Sequence, residues 1–267
     1  MTNDARAHDG GVLAHDDVGS GTPLVLLHGF PLTRHLWDAQ RAALSSRCRV
    51  ITPDLRGFGE SAALAHDGRL TMARHADDVA ALLDALAIDR AIIGGLSMGG
   101  YVTLAFWRRH RDRVRALVLA DTRASADTDA TRERRVATIA LARAEGALAV
   151  ADAQIASSLG ATTRRTHPAL VHRMRDMMAT VSVATLIAAL EGMLARDDAT
   201  PWLGTIDVPT LLMVGDEDAI TPAKEMRAMH ERIAGSVLEV IEQSGHLSPV
   251  EQPARFDEAL MRFVRAV

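Results

Sequence analysis

The run Ile92-Ile93-Gly94-Gly95-Leu96-Ser97-Met98-Gly99-Gly100-Tyr101 sets a serine between two glycines, with an apolar strand-like stretch before it and a helical pattern after it. A chain passing from strand to helix in so few residues must reverse sharply, and a side chain at position 95 or 99 would collide with the neighbouring elements. The spacing predicts a nucleophile elbow, with the Ser97 hydroxyl exposed at a helix N-terminus. Free backbone N–H groups and the helix dipole favour developing negative charge there. A bare Gly-x-Ser-x-Gly arises readily by chance, so its meaning depends on the strand before, the helix after and the partners downstream.

Short apolar runs alternate with longer helical patterns through most of the chain, the signature of a mainly parallel sheet with crossover helices and hence of the α/β class. Strands are expected at residues 11–18, 24–27, 50–52, 91–94, 116–120, 210–214 and 237–241; several are apolar throughout, as strands covered on both faces should be. Thr71 is suited to cap a helix carrying Met72, Val79, Leu82, Leu83 and Leu86, and another helix runs from Met98 toward His110. Further helices are expected at about 36–44, 223–233 and 253–264.

One stretch breaks the alternation. Residues 124–203 hold no convincing strand, only Ala/Arg-rich helical sequence in which Met174, Met177, Met178, Leu186, Leu190 and Met193 recur at three- and four-residue spacing. This reads as a helical cap inserted into a core formed by residues 1–123 and 204–267. The methionines suit core filling, with a substrate-facing surface as the alternative.

Composition excludes several classes. With 267 residues, 48% hydrophobic and 24% charged, the chain can bury a large core. A net charge of −4 with no basic face gives no reason to expect a nucleic-acid partner. No apolar run approaches the ~20 residues needed to span a bilayer, and Met1-Thr2-Asn3-Asp4-Ala5-Arg6 lacks the cationic start of a secretory signal, so no membrane partner and a cytoplasmic location are expected. The one cysteine, Cys48, can form neither an intrachain disulfide nor a cysteine metal cluster.

A serine hydroxyl is too weakly acidic to attack at neutral pH without a base, and the base needs an orienting acid. Both are available after the cap. Leu212-Met213-Val214-Gly215-Asp216-Glu217-Asp218 is a strand running into an acidic turn, and Gln243-Ser244-Gly245-His246 follows the last strand. The order Ser97, Asp218, His246 places each residue beyond the C-terminal end of a strand, where open α/β sheets build their sites. Asp218 is the favoured acid, Asp216 a turn-capping residue and Asp121 a structural strand-end carboxylate. The N–H groups of Phe30, in Leu26-Leu27-His28-Gly29-Phe30-Pro31, and of Met98 are the expected oxyanion donors. His28 is better suited to a scaffolding hydrogen bond than to the role of base.

These features resemble the α/β-hydrolase fold family over nearly the whole chain. His28-Gly29-Phe30-Pro31, Asp54-Leu55-Arg56-Gly57-Phe58-Gly59-Glu60-Ser61, Gly95-Leu96-Ser97-Met98-Gly99-Gly100, Gly215-Asp216-Glu217-Asp218 with Thr221-Pro222, and Gly245-His246 stand where that family carries its motifs. The elbow, followed by Val118-Leu119-Ala120-Asp121-Thr122, is similar to small bacterial carboxylesterases, enol-lactonases of the 3-oxoadipate type and cofactor-free perhydrolases. The resemblance implies a doubly wound, mostly parallel sheet of about eight strands, a helical cap over the serine, a monomer or small homo-oligomer, and no metal or organic cofactor. The N-terminus is short for that family's first strand.

The implied chemistry is acyl transfer from a small ester or lactone, with acyl transfer to peroxide on the same triad as the alternative and a catalytically weak ligand-binding role as a third reading. Leu32, Trp37, Trp202 and Leu247 are expected pocket residues, each with a core position as the competing assignment. Arg123, Arg132, Arg134 and Arg135 at the cap entry offer cations for a carboxylate-bearing substrate, against a solvated surface as the alternative.

Overall fold

The computed structural model describes residues 3–6, 12–64 and 68–267. Eight strands form one sheet: β1 (Asn3–Arg6), β2 (Val12–Val18), β3 (Pro23–Leu27), β4 (Arg49–Pro53), β5 (Ala91–Leu96), β6 (Val114–Ala120), β7 (Thr210–Gly215) and β8 (Val237–Ile241), in the order β1-β2-β4-β3-β5-β6-β7-β8. β2 pairs antiparallel with β1 and β4, and every other pairing is parallel. β1 corrects the expectation that strands begin near residue 11; Gly11 itself lies outside the described residues. Its four residues carry no apolar run, and only pairing with β2 makes them a strand.

The central strands are apolar because neither face meets water: β5 and β7 are buried at every position. Alternation along the strands divides the core into two layers. Val25, Leu27, Ile93, Leu117, Leu119, Leu212 and Val214 face one layer, and Leu24, Leu26, Ile92, Val118, Leu211 and Met213 face the other. The first layer is closed by α2 (Met72–Ala85) and α3 (Met98–His110), preceded in the chain by α1 (Asp38–Leu44). Thr71 caps α2 by accepting the Arg74 N–H at 3.1 Å.

Between β6 and β7 the chain leaves the sheet for a helical excursion: α4 (Asp129–Ser158), α5 (Ala161–Thr166), α6 (Pro168–Ala179) and α7 (Val183–Leu194), then a 3₁₀ turn at Thr200–Thr205. α4 is broken at Gly146, whose φ of 83° is left-handed. Met174, Met178 and Met193 are buried in the apolar layers, and Met177 is half-buried. After β7 come α8 (Ala223–His230), α9 (Ser248–Glu251) and α10 (Pro253–Ala266). α10 lays Phe256, Leu260 and Phe263 against the second layer, each such side chain contributing roughly 1.5–3 kcal/mol. α8 ends three residues before the expected boundary at 233, and residues 34–37 form a 3₁₀ turn rather than the start of α1.

Candidate active site

Strand register brings the chemistry together. Leu27 pairs with Gly95, Leu96 with Ala120, Ala120 with Met213 and Gly215 with Ile241, so β3, β5, β6, β7 and β8 end side by side. The loops that leave those ends carry His28 to Phe30, Ser97, Asp121, Asp218 and His246.

Ser97 sits at φ 54°, ψ −110°, left-handed for a residue with a Cβ. Its N–H is held by Ala120 O at 2.9 Å, and its carbonyl accepts the Thr122 hydroxyl at 2.9 Å. The flanking glycines are needed for close approach. A Cβ on Gly95 would lie 2.2 Å from the Gly99 carbonyl, and one on Gly99 would lie 2.3 Å from Leu27 O.

Three distant side chains meet there. The Ser97 hydroxyl lies 2.8 Å from His246 Nε2, and His246 Nδ1 lies 2.8 Å from Asp218 Oδ2. An ionised carboxylate only accepts, so Nδ1 carries the proton and Nε2 accepts from the serine. Asp218 Oδ1 accepts the N–H groups of Ile220 and Thr221 at 2.8 and 2.9 Å, and Oδ2 accepts the Thr221 hydroxyl at 2.6 Å. Thr221 Oγ1 also stands 3.1 Å from His246 Nδ1. Burial alone would raise the Asp218 carboxyl, yet the charge of and hydrogen bond from His246, with the Thr221 bonds, bring it down to about 2.

His246 shows the same contest with the opposite charge. Burial disfavours the imidazolium, but the charge and hydrogen bond of Asp218, aided by Asp121 and opposed by Arg123, hold its pKa above the ordinary value of 6.5. Asp121 does not touch the imidazole. It accepts Gly215 N–H at 2.9 Å and the Ser248 hydroxyl, and burial followed by the charge of Asp218 pushes its carboxyl well above the usual range. Asp216 is exposed and accepts Ser244 N–H at 3.3 Å.

His28 ties two loops. Leu55 N–H donates to its Nε2 at 3.0 Å, which leaves Nδ1 to donate to Gly29 O at 2.9 Å. Burial, opposed by Asp54 and the Gly29 bond, holds it below the ordinary histidine pKa. Phe30 follows the turn after β3 and Met98 follows the serine, and among the described residues neither N–H donates to a protein acceptor. The peptide joining Phe30 to Pro31 is cis.

The expected pocket residues are dispersed. Trp37 takes the core position of its two expected assignments: the residue is 1% exposed and its ring packs 6.0 Å from the Phe256 ring. Leu32 and Leu247 are buried in that same apolar layer. Trp202 lies under the Arg108 guanidinium beside a depression of about 450 Å³ between α2, α3 and α7, whose lining includes neither Ser97 nor His246. Of the cap-entry arginines, Arg135 is taken up by Asp127, together with Arg196, while Arg132 and Arg134 are exposed. Arg123 is buried and donates to Ile220 O.

Ser248 had no assigned part in the site from sequence, Thr221 stood there only as a member of a motif, and Arg123 only as a cation at the cap entry. An Asp followed three residues later by Thr is the signal that could have found Thr221, since short polar side chains bond locally in turns. Among the described residues no group of three or more His, Cys, Asp or Glu is placed to hold a metal ion, and no single helix is long and apolar enough to cross a membrane.

Comparison with known proteins identifies the family. A sequence-family model described as alpha/beta hydrolase fold matches residues 22–253. The chain is 30% identical to 3-oxoadipate enol-lactonase 1 of Acinetobacter baylyi, over 87% of this chain and 84% of that one. A thermophilic esterase from Thermogutta terrifontis, solved with malate bound, superposes with a TM-score of 0.94 at 40% identity, covering 100% of this chain and 98% of the esterase. A bromoperoxidase from Bacillus anthracis superposes with a TM-score of 0.87 at 26% identity, covering 99% and 100%. The chain is an enzyme of the α/β hydrolase fold family.

Proposed function

We propose that the chain is a serine hydrolase that cleaves carboxylic esters or lactones of small molecules through an acyl-enzyme, with Ser97 as nucleophile, His246 as base and Asp218 as the orienting acid. The observation that carries it is the relay of two 2.8 Å contacts from Ser97 through His246 to Asp218. Ser97 Oγ attacks the carbonyl carbon while its proton passes to His246 Nε2, and Asp218 stabilises the imidazolium. The free N–H groups of Phe30 and Met98 are assigned to the tetrahedral oxyanion. As the intermediate collapses, the acyl C–O bond breaks and the Nε2 proton goes to the leaving alkoxide. Water, deprotonated by His246, then attacks the acyl-enzyme and releases the acid and Ser97.

The likeness to an enol-lactonase and an esterase supports ester and lactone substrates. The residues 124–203 act as the cap over the site in this reading, and the enzyme works in the cytoplasm, on a small molecule, without a cofactor. The bromoperoxidase likeness supports a second use of the same groups, in which hydrogen peroxide replaces water as acyl acceptor.

A fluorophosphonate probe followed by peptide mass mapping tests the assignment, with label expected on Ser97 alone. Ser97→Ala should fold normally, take no label and lose on the order of 10⁶-fold in turnover of a short-chain aryl ester. Retained turnover in purified Ser97→Ala would sink it. A panel of esters and lactones, with a parallel arm of peroxide and a carboxylic acid, separates the two uses.

A further inference from the structure

We propose that Glu251 is a positioning residue for His246, and that it holds the base in register with the helical insertion by clasping both at once. The inference rests on reading His246 as the base.

Glu251, at the end of α9, is 6% exposed and pairs with no Lys or Arg among the described residues. Its two oxygens serve two backbone donors from distant parts of the chain: Oε1 accepts the Leu247 N–H at 3.1 Å, and Oε2 accepts the Gly160 N–H at 2.8 Å. The Leu247 N–H belongs to the peptide plane that begins at His246 Cα, so holding it fixes the backbone torsion that aims the imidazole. The Gly160 N–H belongs to the joint between α4 and α5 in the insertion.

Backbone packing makes the clasp tight. A Cβ on Gly245, the residue before His246, would lie 2.2 Å from Gly160 N, and a Cβ on Gly160 would lie 2.8 Å from Gly245 N. The acid loop is tied to the same joint. Glu217, next to Asp218, accepts Thr162 N–H at 2.8 Å and the Thr162 hydroxyl, and its own N–H donates to Ser244 O at 2.8 Å. The chain from Leu159 to Thr162 thereby becomes a wall against which both partner loops of Ser97 are seated. Where both contacts of an imidazole are 2.8 Å, a misplacement of about 1 Å costs on the order of 100-fold in rate.

Glu251→Gln keeps the shape but turns an N–H₂ toward one of the two donors, so one bond is lost. Gly160→Ala disturbs the insertion's side of the clasp without changing any residue near the imidazole in sequence. Hydrolysis of p-nitrophenyl acetate is to be followed for both variants across pH, beside thermal melting and fluorophosphonate labelling rates. The expected result is a fall in kcat of about 10- to 100-fold with KM within about threefold, in both variants. The acid limb of the kcat profile should also move to lower pH, because a looser His246 to Asp218 contact weakens what raises the imidazole, with Asp121 and Arg123 unchanged around it.

A lower melting temperature with kcat and the acid limb unchanged would make Glu251 a helix cap and overturn the proposal. A change confined to KM in Gly160→Ala would remove the insertion from it. If Glu251→Gln does not fold, the same readings on Glu251→Asp decide, since its shorter carboxylate cannot reach the Leu247 and Gly160 N–H groups together. Loss of turnover in Ser97→Ala beside unaltered Glu251→Gln would refute the clasp alone, whereas turnover in Ser97→Ala refutes the triad.

Discussion

Glycine works in opposite ways at the elbow and in the insertion. At Gly95 and Gly99 an added methyl group would strike backbone at 2.2 and 2.3 Å, so absence of a side chain is what lets strand and helix meet. At Gly146, where α4 breaks, nothing lies within 4 Å of the missing Cβ, and only the left-handed φ calls for glycine. The contrast extends to what surrounds them. The first three turns of α3 are almost wholly buried, whereas α4 buries only Ile139, Ala142, Val150, Ala151, Ile155 and Ser158 of its 30 residues. The sheet end is fixed by backbone in contact with backbone, as the insertion is where Gly160 meets Gly245, whereas the stretch from Asp127 to Gly146 is held by side chains reaching across to one another. Disturbance of the first should therefore act on the reaction, and of the second on stability.

The largest test lies at the sheet end. Asp218→Asn should lower kcat on the order of 10⁴-fold by favouring the wrong imidazole tautomer, with the fold retained in circular dichroism. The base must be neutral to accept the serine proton, so activity rises with pH through the His246 pKa, which in the parent lies above 6.5. Since Asp218 is what lifts it, the acid limb of the residual activity should move to lower pH; a limb that stays in place would break the assignment of the acid. The same carboxylate contributes stability above its ordinary pKa of 3.8, lost as pH falls toward about 2, and the variant should lack that part of the acid transition.

Within the insertion, Asp127 is the sharper probe. It is bound by Arg135 at 2.6 Å and Arg196 at 3.3 Å, and the three side chains are at most 14% exposed. Asp127→Ala removes the carboxylate shared by two buried cations, leaving Arg196 its Ala124 and Ser125 carbonyl partners, and should cost about 3 kcal/mol in urea unfolding, with kcat of the folded enzyme changed far less than by Asp218→Asn. The smallest effect belongs to Gly146→Ala, where strain without collision predicts a loss of about 1 kcal/mol and unaltered turnover. A strong kinetic effect at Gly146 would dissolve the division between the two regions.

The same division decides what could be read from residues in order. Strand runs of unbroken apolar sequence and the glycines of the elbow declare themselves locally, because each is required by geometry within a few residues. That Ser97, Asp218 and His246 come together was legible from their order along the chain and the strand before each. β1 was not, since Asn3–Arg6 acquires its form from β2. For Trp37 the sequence leaves pocket and core positions both open, because nothing local reveals Phe256, over two hundred positions away, as its partner. Nor does sequence show that Glu251 and Glu217 spend their oxygens on Gly160 and Thr162, because backbone acceptors and donors are present at every position.

Two imidazoles stand near Ser97, and their surroundings give them contrary fates. His28 has both ring nitrogens committed, one receiving the Leu55 N–H and the other giving to Gly29 O. To gain a proton it would have to expel an amide hydrogen already aimed at its lone pair. It is therefore a neutral pin, and in the proposed mechanism the loop presenting Phe30 keeps its place each time a charge appears on His246.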